Sequence, residues 1–401
     1  MSSGIIRGYF NVQDHGATGL GKVNESPAIQ SAINAAAAQG GGVVWFPPGL
    51  YFIDKCADTG LDATRGFIIE ASVILAGAGT GKPQFNDNPS SNPLATNGSK
   101  LLITNHDIIP IVITGWGTVI RDMAIYHQQP EPVVGQPWTP DPYPAAILVA
   151  AHDVRLENLY LRNPTVGIVS ENAGRLSINR LFGQPLQTGI SIDNARDTVK
   201  IDNIHFWPFW TESEAVREYT FEKACAIESY RNDNPLFSNI FTIGYNTGFL
   251  FSKRENAPEG QITSKFQIVN ADNDSGHKGI KVDGPLTTGH IVNYNFQGSE
   301  KSETGIHIQA PGAIVQATNV RIKLTGANSI RVSGAGARLN LENIWIQSWN
   351  QSGIGFPGIE AVGGGAVVSV GFNRLYTEKS GKLIGGEGVV LAEPVLPGIN
   401  A

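Results

Sequence analysis

The sequence predicts an all-β protein, a single-stranded right-handed parallel β-helix with an N-terminal capping helix. Three observations lead to this fold class. A short phrase recurs at intervals of just over 20 residues, a glycine-led apolar strand occupies a fixed place within each interval, and the composition is rich in turn-forming residues, with 47 Gly and only 16% charged residues in 401. Because a propeller blade needs roughly 40 residues or more, the observed period favours stacked single coils.

The recurring phrase is apolar-x-Asn-apolar. Its asparagines are Asn158, Asn179, Asn203, Asn239, Asn270, Asn293, Asn319, Asn343 and Asn373, and the gaps between them are 21, 24, 36, 31, 23, 26, 24 and 30 residues. An asparagine tolerates the left-handed backbone of a tight bend, and its amide can bond its counterpart one coil along. The phrase therefore predicts a ladder of asparagine bends, with Asp122 in the same position one coil before Asn158.

The second phrase is a glycine followed by an alternating apolar strand. It occurs at Gly167-Ile168, Gly189-Ile190, Gly248-Phe249, Gly279-Ile280 and Gly305-Ile306, with Ala226-Ile227 and Ser329-Ile330 in equivalent places. Alternation with a period of two is typical of a half-buried strand. One such strand is expected in every coil.

The two ends of the chain are expected to cap the stack. Residues 1–53 form an N-terminal cap with a helix at about 26–39, where Ser26 can serve as N-cap and Pro27 occupies the first turn. Residues 54–375 are assigned to the coils. Residues 376–401 lose the repeat and are assigned to a C-terminal cap or a subunit contact.

Three segments near the start carry a family resemblance. The runs FNVQDHGATGLG (10–21), PAIQSAINAAAAQGGG (27–42) and VVWFPPGLYFI (43–53) resemble the opening of the pectate lyase superfamily. The resemblance implies a parallel β-helix, activity on a polysaccharide as a lyase, a glycoside hydrolase or a phage tailspike-like depolymerase, and a homotrimer. Family members commonly carry aspartates where this chain has Lys22-Val23-Asn24-Glu25, so the resemblance does not extend to those aspartates.

Charge and composition exclude several classes of partner. A net charge of -6, with scattered acidic and basic residues, argues against nucleic acid, which would require a basic stripe. The opening MSSGIIRGYF lacks the apolar run of a secretory signal, and no window is long enough to span a bilayer. We expect a soluble protein without a membrane partner. Its location is undetermined, and action outside a cell or on a phage particle is compatible with the sequence.

Two insertions fall between an asparagine bend and the following glycine-led strand, at 126–145 and 205–224. At about 4.8 Å per coil, bends three coils apart are separated by roughly 14 Å, so the insertions should flank a trough wide enough for a few sugar rings. Trp138, Trp207 and Trp210 lie in these insertions and offer flat faces on which sugars stack. The alternative is that these aromatic residues pack the insertions onto the coils.

Glycoside cleavage requires two carboxyl groups at a defined separation. Aligning the strands at Gly189 and Ala226 places Asp193 and Glu228 outward, with backbones roughly 8 Å apart, which predicts an acid and base pair. Asp233 is a third candidate catalytic carboxyl. The predicted substrate-binding residues nearby are His205, Glu212, Tyr230 and Arg231, in addition to the three tryptophans.

The sequence thus predicts a glycoside hydrolase that acts on an extracellular or capsular polysaccharide, and two other functions remain open. A polysaccharide lyase would need a base, for which Tyr230, Lys281 and His205 are candidates, and a cation such as Arg231 to neutralise a uronate. A non-catalytic fibre that only holds glycan is the alternative outside enzymes. No metal site or cofactor is expected, because the two cysteines lie far apart without zinc-ligand spacing. The acidic run Asn270–His277 suggests calcium weakly but favours a plain turn.

Overall fold

The computed structural model describes residues 8–55, 64–81, 97–255, 257, 262–364, 367–371, 376–378 and 381–392. The chain divides into two compact units, residues 1–219 and 220–401. In each unit, parallel strands form two ladders. One ladder, here called the short-strand sheet, contains strands of two to six residues. The other, here called the bent-strand sheet, contains strands of three to ten residues, and its longer strands bend at a residue with positive φ.

In the first unit, a 3-10 helix spans Val12–His15 and helix α1 spans Ser26–Ala38. The bent-strand sheet contains β1 (Tyr9–Asn11), β2 (Leu20–Asn24), β3 (Val43–Phe46), β4 (Gly49–Ile53), β6 (Ile74–Gly77), β7 (Ser99–Ile103), β9 (Val119–His127), β11 (Arg155–Leu161), β13 (Ser177–Gly183) and β15 (Lys200–Phe206). The short-strand sheet contains β5 (Arg65–Ile69), β8 (Ile109–Ile113), β10 (Ala145–Val149), β12 (Val166–Glu171) and β14 (Thr188–Asp193).

In the second unit, the bent-strand sheet contains β17 (Leu236–Ile243), β19 (Phe266–Asp274), β21 (Thr288–Gln297), β23 (Ile314–Lys323), β25 (Arg338–Gln347), β27 (Val367–Gly371), β28 (Tyr376–Glu378) and β30 (Val389–Ala392). The short-strand sheet contains β16 (Cys225–Ser229), β18 (Thr247–Phe251), β20 (Lys278–Val282), β22 (Thr304–Ile308), β24 (Ile330–Val332), β26 (Ile359–Ala361) and β29 (Ile384–Gly385). Strand pairing thus continues past residue 375, where the repeat is no longer visible in the sequence.

The predicted fold class is confirmed by the way that successive strands pair. In the second unit, Phe249 lies opposite Ile280, Ile280 opposite Ile306 and Ile306 opposite Ile330, all in parallel register. These four side chains are fully buried. The glycine-led phrase therefore supplies one core residue per coil, stacked in a column, as expected of a parallel β-helix.

The asparagine bends are confirmed for most coils, because Asn158, Asn203, Asn239, Asn270, Asn293, Asn319 and Asn343 have positive φ angles, as does Asp122. Within the second unit their amides donate along the stack, from Asn270 to Asn239, from Asn293 to Asn270, from Asn319 to Asn293 and from Asn343 to Asn319, at 2.6–3.2 Å. The bend predicted at Asn373 lies outside the described residues.

The bend predicted at Asn179 is wrong by one residue. Arg180 has the positive φ of 58°, while Asn179 donates to Asp202 at 2.9 Å. Ile178 pairs with Leu156 and with Ile201, and these side chains are buried. A bend at Asn179 would shift this register by one residue and turn the apolar side chains outward. Burial of the core therefore outweighs the cost of a left-handed arginine, about 1–2 kcal/mol.

Helix α1 covers the free edge of the first short strand, as expected of a cap. Gln30 accepts from the backbone N–H of Ile68 at 2.8 Å and donates to its carbonyl at 2.9 Å. The predicted role of Ser26 is wrong: it is the first helical residue, and its hydroxyl donates to Asn24. The preceding Glu25 occupies the cap position without capping, because its carboxylate accepts from the backbone N–H of Gly19.

Candidate functional site

The first unit buries two of the three tryptophans that were predicted to line a trough. Trp138 and Trp210 are 8% and 4% exposed, and their ring centroids lie 5.6 Å apart. Leu186, which belongs to the coil between the two insertions, and Val216 complete this cluster. The insertions therefore meet over the coils and fill the predicted trough, because burying two indole rings stabilises more than leaving them in water. The prediction that sugars stack on Trp138 and Trp210 is therefore corrected, because neither indole has an open face.

Trp207 differs from the other two tryptophans, because it is only half-buried and packs against Phe209 at 5.5 Å. His205 is also half-buried, 5.6 Å from Phe209, and burial lowers its pKa. Glu212 is exposed. The second insertion, predicted as a loop, also contains helix α2, Glu214–Lys223.

The predicted carboxyl pair is divided between the two units. Asp193 is the last residue of β14 in the first unit, where it is half-buried and lies opposite Glu171. Glu228 is an outward residue of β16 in the second unit, and it accepts a hydrogen bond from the hydroxyl of Tyr230 at 3.0 Å. The pairing of Asp193 with Glu228 stays a prediction.

Tyr230 is unsuited to act as a base. Burial, followed by the charge of Glu228, raises the pKa of Tyr230, so its phenol remains protonated and serves as a donor to that carboxylate. The guanidinium of Arg254 lies 3.7 Å from the centre of the Tyr230 ring.

Arg231, the predicted cation for a uronate, is half-buried.

Asp233 forms an ion pair at an edge of the second unit. Its carboxylate lies 2.9 Å from Nζ of Lys265 and accepts from the hydroxyl of Ser264 at 2.9 Å. The hydrogen bond to Lys265 is the main reason that the pKa of Asp233 lies below its usual value. A carboxyl held ionised in this way suits an electrostatic contact better than an acid that must donate a proton.

The outer face of the short-strand sheet in the second unit is rich in charged groups that neutralise one another. Lys281 pairs with Asp283 at 2.9 Å, Lys278 with Glu303 at 3.0 Å and Arg331 with Glu360 at 3.2 Å. The pKa of Glu303 falls to about 2, mainly through its hydrogen bond with His307. These pairs fit a charge ladder along the coils.

A different environment surrounds two aspartates on β19, a strand that the sequence did not single out for catalysis. After the bend at Asn270, Ala271 and Asn273 are buried, whereas Asp272 and Asp274 lie between them on the outer face and are half-buried. Because alternate residues of a strand share a face, the two carboxyl-bearing residues lie on the same side, with backbones about 6.6 Å apart.

The two aspartates have different electrostatic surroundings. Burial raises the pKa of Asp272, and the charge of Asp274 raises it further, while a 2.8 Å hydrogen bond from Asn295 lowers it. Among the described residues, Oδ1 of Asp272 is buried without a hydrogen-bond partner. Asp274 accepts from the hydroxyl of Ser275 at 3.0 Å. Two neighbouring carboxyls whose environments differ in this way can take the separate roles of acid and base.

Polar and aromatic residues continue from Asp272 along the next three coils. Asp272 lies opposite Asn295, Asn295 opposite Arg321 and Arg321 opposite Trp345. Arg321 donates to Oδ1 of Asn295 at 2.8 Å, and its guanidinium lies 5.2 Å from the Trp345 ring. Trp345 is 39% exposed, so part of the indole is open to solvent. These four residues, with Asp274, form what we call the Asp272 surface.

The run Asn270–His277 was predicted to be a plain turn, with calcium as the alternative. It is instead strand as far as Asp274, with positive φ angles at the bend residue Asn270 and at Ser275. The amide of Asn273 faces inward, donating to Thr242 at 2.6 Å and accepting from the hydroxyl of Tyr294 at 2.7 Å. Among the described residues, no group of three or more His, Cys, Asp or Glu side chains is arranged to hold a metal ion.

Sequence reasoning missed the Asp272 surface because it treated this acidic run as a unit. The available signal was the alternation Asn270-Ala-Asp-Asn-Asp: once Asn270 is taken as a bend, the period of two places both aspartates outward. The pKa of Asp272 was not accessible from this pattern, because it depends on burial beside the neighbouring coil.

Comparison with known proteins establishes the family. The chain matches, over residues 9–249, the family described as rhamnogalacturonase A/epimerase, pectate lyase-like, and it belongs to this family. The predicted superfamily is thereby confirmed. The helices of the described residues include none that is both long and apolar enough to cross a membrane.

Curated relatives match only a short part of the chain. Mannuronan C5-epimerase AlgE3 of Azotobacter vinelandii is 43% identical over 75 residues, which is 19% of this chain and 4% of the relative. Alginate lyase 7 of the same organism is 42% identical over 76 residues, 18% of this chain and 8% of the relative. The chain thus spans less than a tenth of the length of either protein.

Solved structures match over nearly the whole chain at low identity. The DFA-IIIase of Arthrobacter chlorophenolicus A6 in complex with GF2 has a TM-score of 0.59 and 12% identity, covering 93% of this chain and 96% of that chain. The A-module of Azotobacter vinelandii mannuronan C-5 epimerase AlgE4 has a TM-score of 0.50 and 13% identity, covering 96% and 97%. These similarities show the parallel β-helix fold.

Proposed function

We propose that this protein cleaves a polysaccharide by hydrolysis on the Asp272 surface, with Asp272 as the general acid and Asp274 as the base that activates water. The observation that carries the proposal is the raised pKa of Asp272 beside a second outward carboxyl. A general acid must stay protonated until it donates, and burial moves the pKa of Asp272 in that direction, while Asp274 offers a second carboxyl on the same outer face.

The spacing of the two aspartates also fits the chemistry. Their backbones are about 6.6 Å apart. Inverting glycoside hydrolases hold their carboxyl groups about 6.5–9.5 Å apart, which leaves room for a water molecule, and two side chains that leave one face at this backbone spacing can reach that range. We therefore propose inversion of the anomeric configuration.

The remaining residues of the Asp272 surface suit a sugar polymer. Asn295 and Arg321 hold the carboxyl of Asp272 in place through two successive hydrogen bonds. Trp345 offers a partly open aromatic face three coils, or about 14 Å, from Asp272. An aromatic ring at that distance would stack on a sugar bound beyond the cleavage point.

The relatives support a carbohydrate polymer as substrate and guide the choice of test polymers. Two of them are named for mannuronan and alginate, and one solved neighbour is an α-1,3-glucanase in complex with nigerose, with a TM-score of 0.53. Alginate and α-1,3-glucan are therefore the first members of a test panel of acidic and neutral polysaccharides. The homotrimer implied by the family resemblance stays a prediction.

The experiment is a comparison of four variants on any polymer of the panel that the wild type shortens, with reducing ends and product masses as readouts. We expect Asp272→Asn and Asp274→Asn each to lose about 100-fold or more in rate. Glu228→Gln and Asp193→Asn are matched removals of one charge at the pair predicted from sequence. If these two variants lose activity while Asp272→Asn keeps it, the site is wrong. If the wild type binds a polymer and never shortens it, the protein is a glycan-holding fibre.

Elimination from a uronate polymer is the second candidate. Arg321 and Lys323 lie two residues apart on the outer face of β23, where Arg321 is opposite Asn295 and Lys323 opposite Gln297. Arg321 and Lys323 would neutralise the carboxylate of a bound uronate. Neutralisation favours abstraction of the proton on the carbon next to that carboxylate. Products that absorb in the ultraviolet through a new double bond would support elimination, whereas new reducing ends without that absorbance support hydrolysis.

A further inference from the structure

A groove in the first unit runs along four successive turns between the short-strand and bent-strand sheets. It encloses a volume of about 700 Å³ and is lined in turn by Gly117, Asp153, Arg175 and Asp197. The backbones of these turns are bonded in sequence, since Asp153 N–H donates to Gly174 and Arg175 N–H to Asp197. At about 4.8 Å per coil, the groove spans roughly 14 Å.

One arginine links two carboxylates along the groove. Arg175 donates to both oxygens of Asp153, at 2.6 and 2.8 Å, and to Asp197 at 2.7 Å. These hydrogen bonds are the first cause of the lowered pKa values of Asp153 and Asp197. The two carboxylates share the positive charge of Arg175 and still present acceptor oxygens to the groove.

Two further cations line the groove. Arg155 and Lys200 lie in one column, each opposite Ser177 of the coil between them. The side chain of Arg155 is 58% exposed and lies 4.0 Å from Glu157, and Lys200 forms no ion pair with any residue that the structure describes. The lining has three cations and two carboxylates, an excess of one positive charge, and the exposed Arg155 has Glu157 outside the lining at 4.0 Å.

An exposed tryptophan stands at the first turn of the groove. Trp116, the residue before Gly117, is 62% exposed. Its ring meets His152 at a centroid distance of 4.7 Å and an angle of 80°, an edge contact that leaves an indole face open. His152 is itself held in place, because its Nδ1 accepts from the N–H of Gly174 at 2.8 Å.

We propose that this groove is a second, non-catalytic binding site for an acidic polysaccharide, with Trp116 stacking on one sugar ring and Arg155 and Lys200 binding carboxylates further along the chain. A rigid aromatic face at one end and aligned cations two coils apart suit an extended polymer of repeating charge. A neutral polymer would supply no anion for Lys200 or for the exposed Arg155. The site belongs to the first unit, and it holds glycan whether or not the Asp272 surface cleaves it.

The test uses the full chain carrying Asp272→Asn, so that cleavage does not confuse binding, and measures its retardation in native gels that contain alginate. We expect Trp116→Ala and the double variant Arg155→Ala/Lys200→Ala each to raise the apparent Kd for alginate by roughly threefold to tenfold. The matched control Lys22→Ala/Arg338→Ala removes the same charge at exposed positions outside the groove and should bind as the parent does. Added salt should weaken parental binding, because the contact is electrostatic.

The proposal is overturned if Trp116→Ala and the double variant are retarded as strongly as the parent, or if the parent itself is not retarded by alginate. Loss of retardation in the control as well would also overturn it, since bulk charge would then explain binding. The cleavage assay is scored separately. Failure of cleavage with groove-dependent retardation would reject only the proposed hydrolysis, and cleavage by the wild type with no effect of groove substitutions would reject only the groove.

Discussion

The carboxylate of Asp272 accepts a hydrogen bond of 2.8 Å from the amide of Asn295, which lies directly opposite it on the next coil. This contact favours the ionised form of Asp272 and so opposes the burial that raises its pKa. The pKa of the proposed acid therefore depends on a residue 23 positions away in the sequence, which the coil repeat brings to its side.

Replacing Asn295 by Ala should raise the pKa of Asp272 further, because the stabilising hydrogen bond to the ionised form is lost. As a general acid, Asp272 works while it is protonated, so the fall in activity on the alkaline side should move to higher pH. The measurement is the pH profile of kcat/KM for Asn295→Ala. Asn340→Ala, at an exposed asparagine of β25, is the control and should leave the profile in place. A shift in the opposite direction would contradict the assignment of Asp272.

Replacing Asp272 by Asn should lower the rate by about 100-fold or more and yet stabilise the fold at neutral pH. The folded-state pKa of Asp272 is raised, so ionisation opposes folding, and the stability cost grows as the pH rises through the unfolded and then the folded pKa. Below both pKa values the carboxyl is protonated in both states and the cost disappears. Urea unfolding at neutral and at acidic pH should thus show a gain from Asp272→Asn only at neutral pH. Equal stability of the two proteins at both pH values would show that burial of this carboxylate is not costly.

The buried tryptophan cluster offers a direct test of packing against sugar stacking. We expect Trp210→Ala to lower the free energy of unfolding by about 3–5 kcal/mol, because a fully packed indole is replaced by a cavity. Trp207→Ala, at a half-buried indole in the same insertion, should cost less than half as much. Chemical unfolding and the Tm of both variants measure this difference. A stable Trp210→Ala protein with impaired glycan binding would instead restore the stacking role predicted from sequence.

Substitution of an asparagine at an interior bend should lower the free energy of unfolding, even though the side chain is exposed. Asn293 has a φ of 55° and takes part in hydrogen bonds to Asn270 and Asn319. Asn293→Ala loses both bonds and replaces a residue that tolerates the left-handed region with one that does not, so we expect a loss of about 1–3 kcal/mol. Asn293→Gly keeps the backbone relaxed and should be less destabilising by about 1 kcal/mol. Equal losses for the two variants, measured by urea unfolding, would mean that backbone strain plays no part.

His127 should make the first unit acid-sensitive. It is 1% exposed, neither ring nitrogen has a hydrogen-bond partner among the described residues, and burial lowers its pKa to about 3, with a smaller contribution from His106. The unfolded chain takes up a proton near pH 6.5 and the folded one does not, so stability is full above that pH and falls toward pH 3, by at most about 1.4 kcal/mol per pH unit. His127→Phe should remove this part of the pH dependence, as measured by Tm between pH 4 and 7. An unchanged profile would place the acid-sensitive group elsewhere.

Only part of the candidate site was within reach of the sequence. The bend at Asn270 and the period of two place Asp272 and Asp274 on one outer face, so their positions were predictable in principle. The burial of Trp138 was not predictable, because it depends on a second insertion more than 60 residues later in the sequence. Trp210 and Val216 of that insertion pack with Trp138 and Leu186.

The amino-acid sequence by itself determined the parallel β-helix, since local conformation specifies it: alternating apolar residues form the strands, and asparagines that accept positive φ form the bends. The tertiary structure decided where one bend falls, placing it at Arg180 because the buried column of Leu156, Ile178 and Ile201 sets the register. It also decided which tryptophans are buried and which aspartate has a raised pKa. These properties depend on burial and on neighbours in adjacent coils, and a linear pattern carries no measure of either.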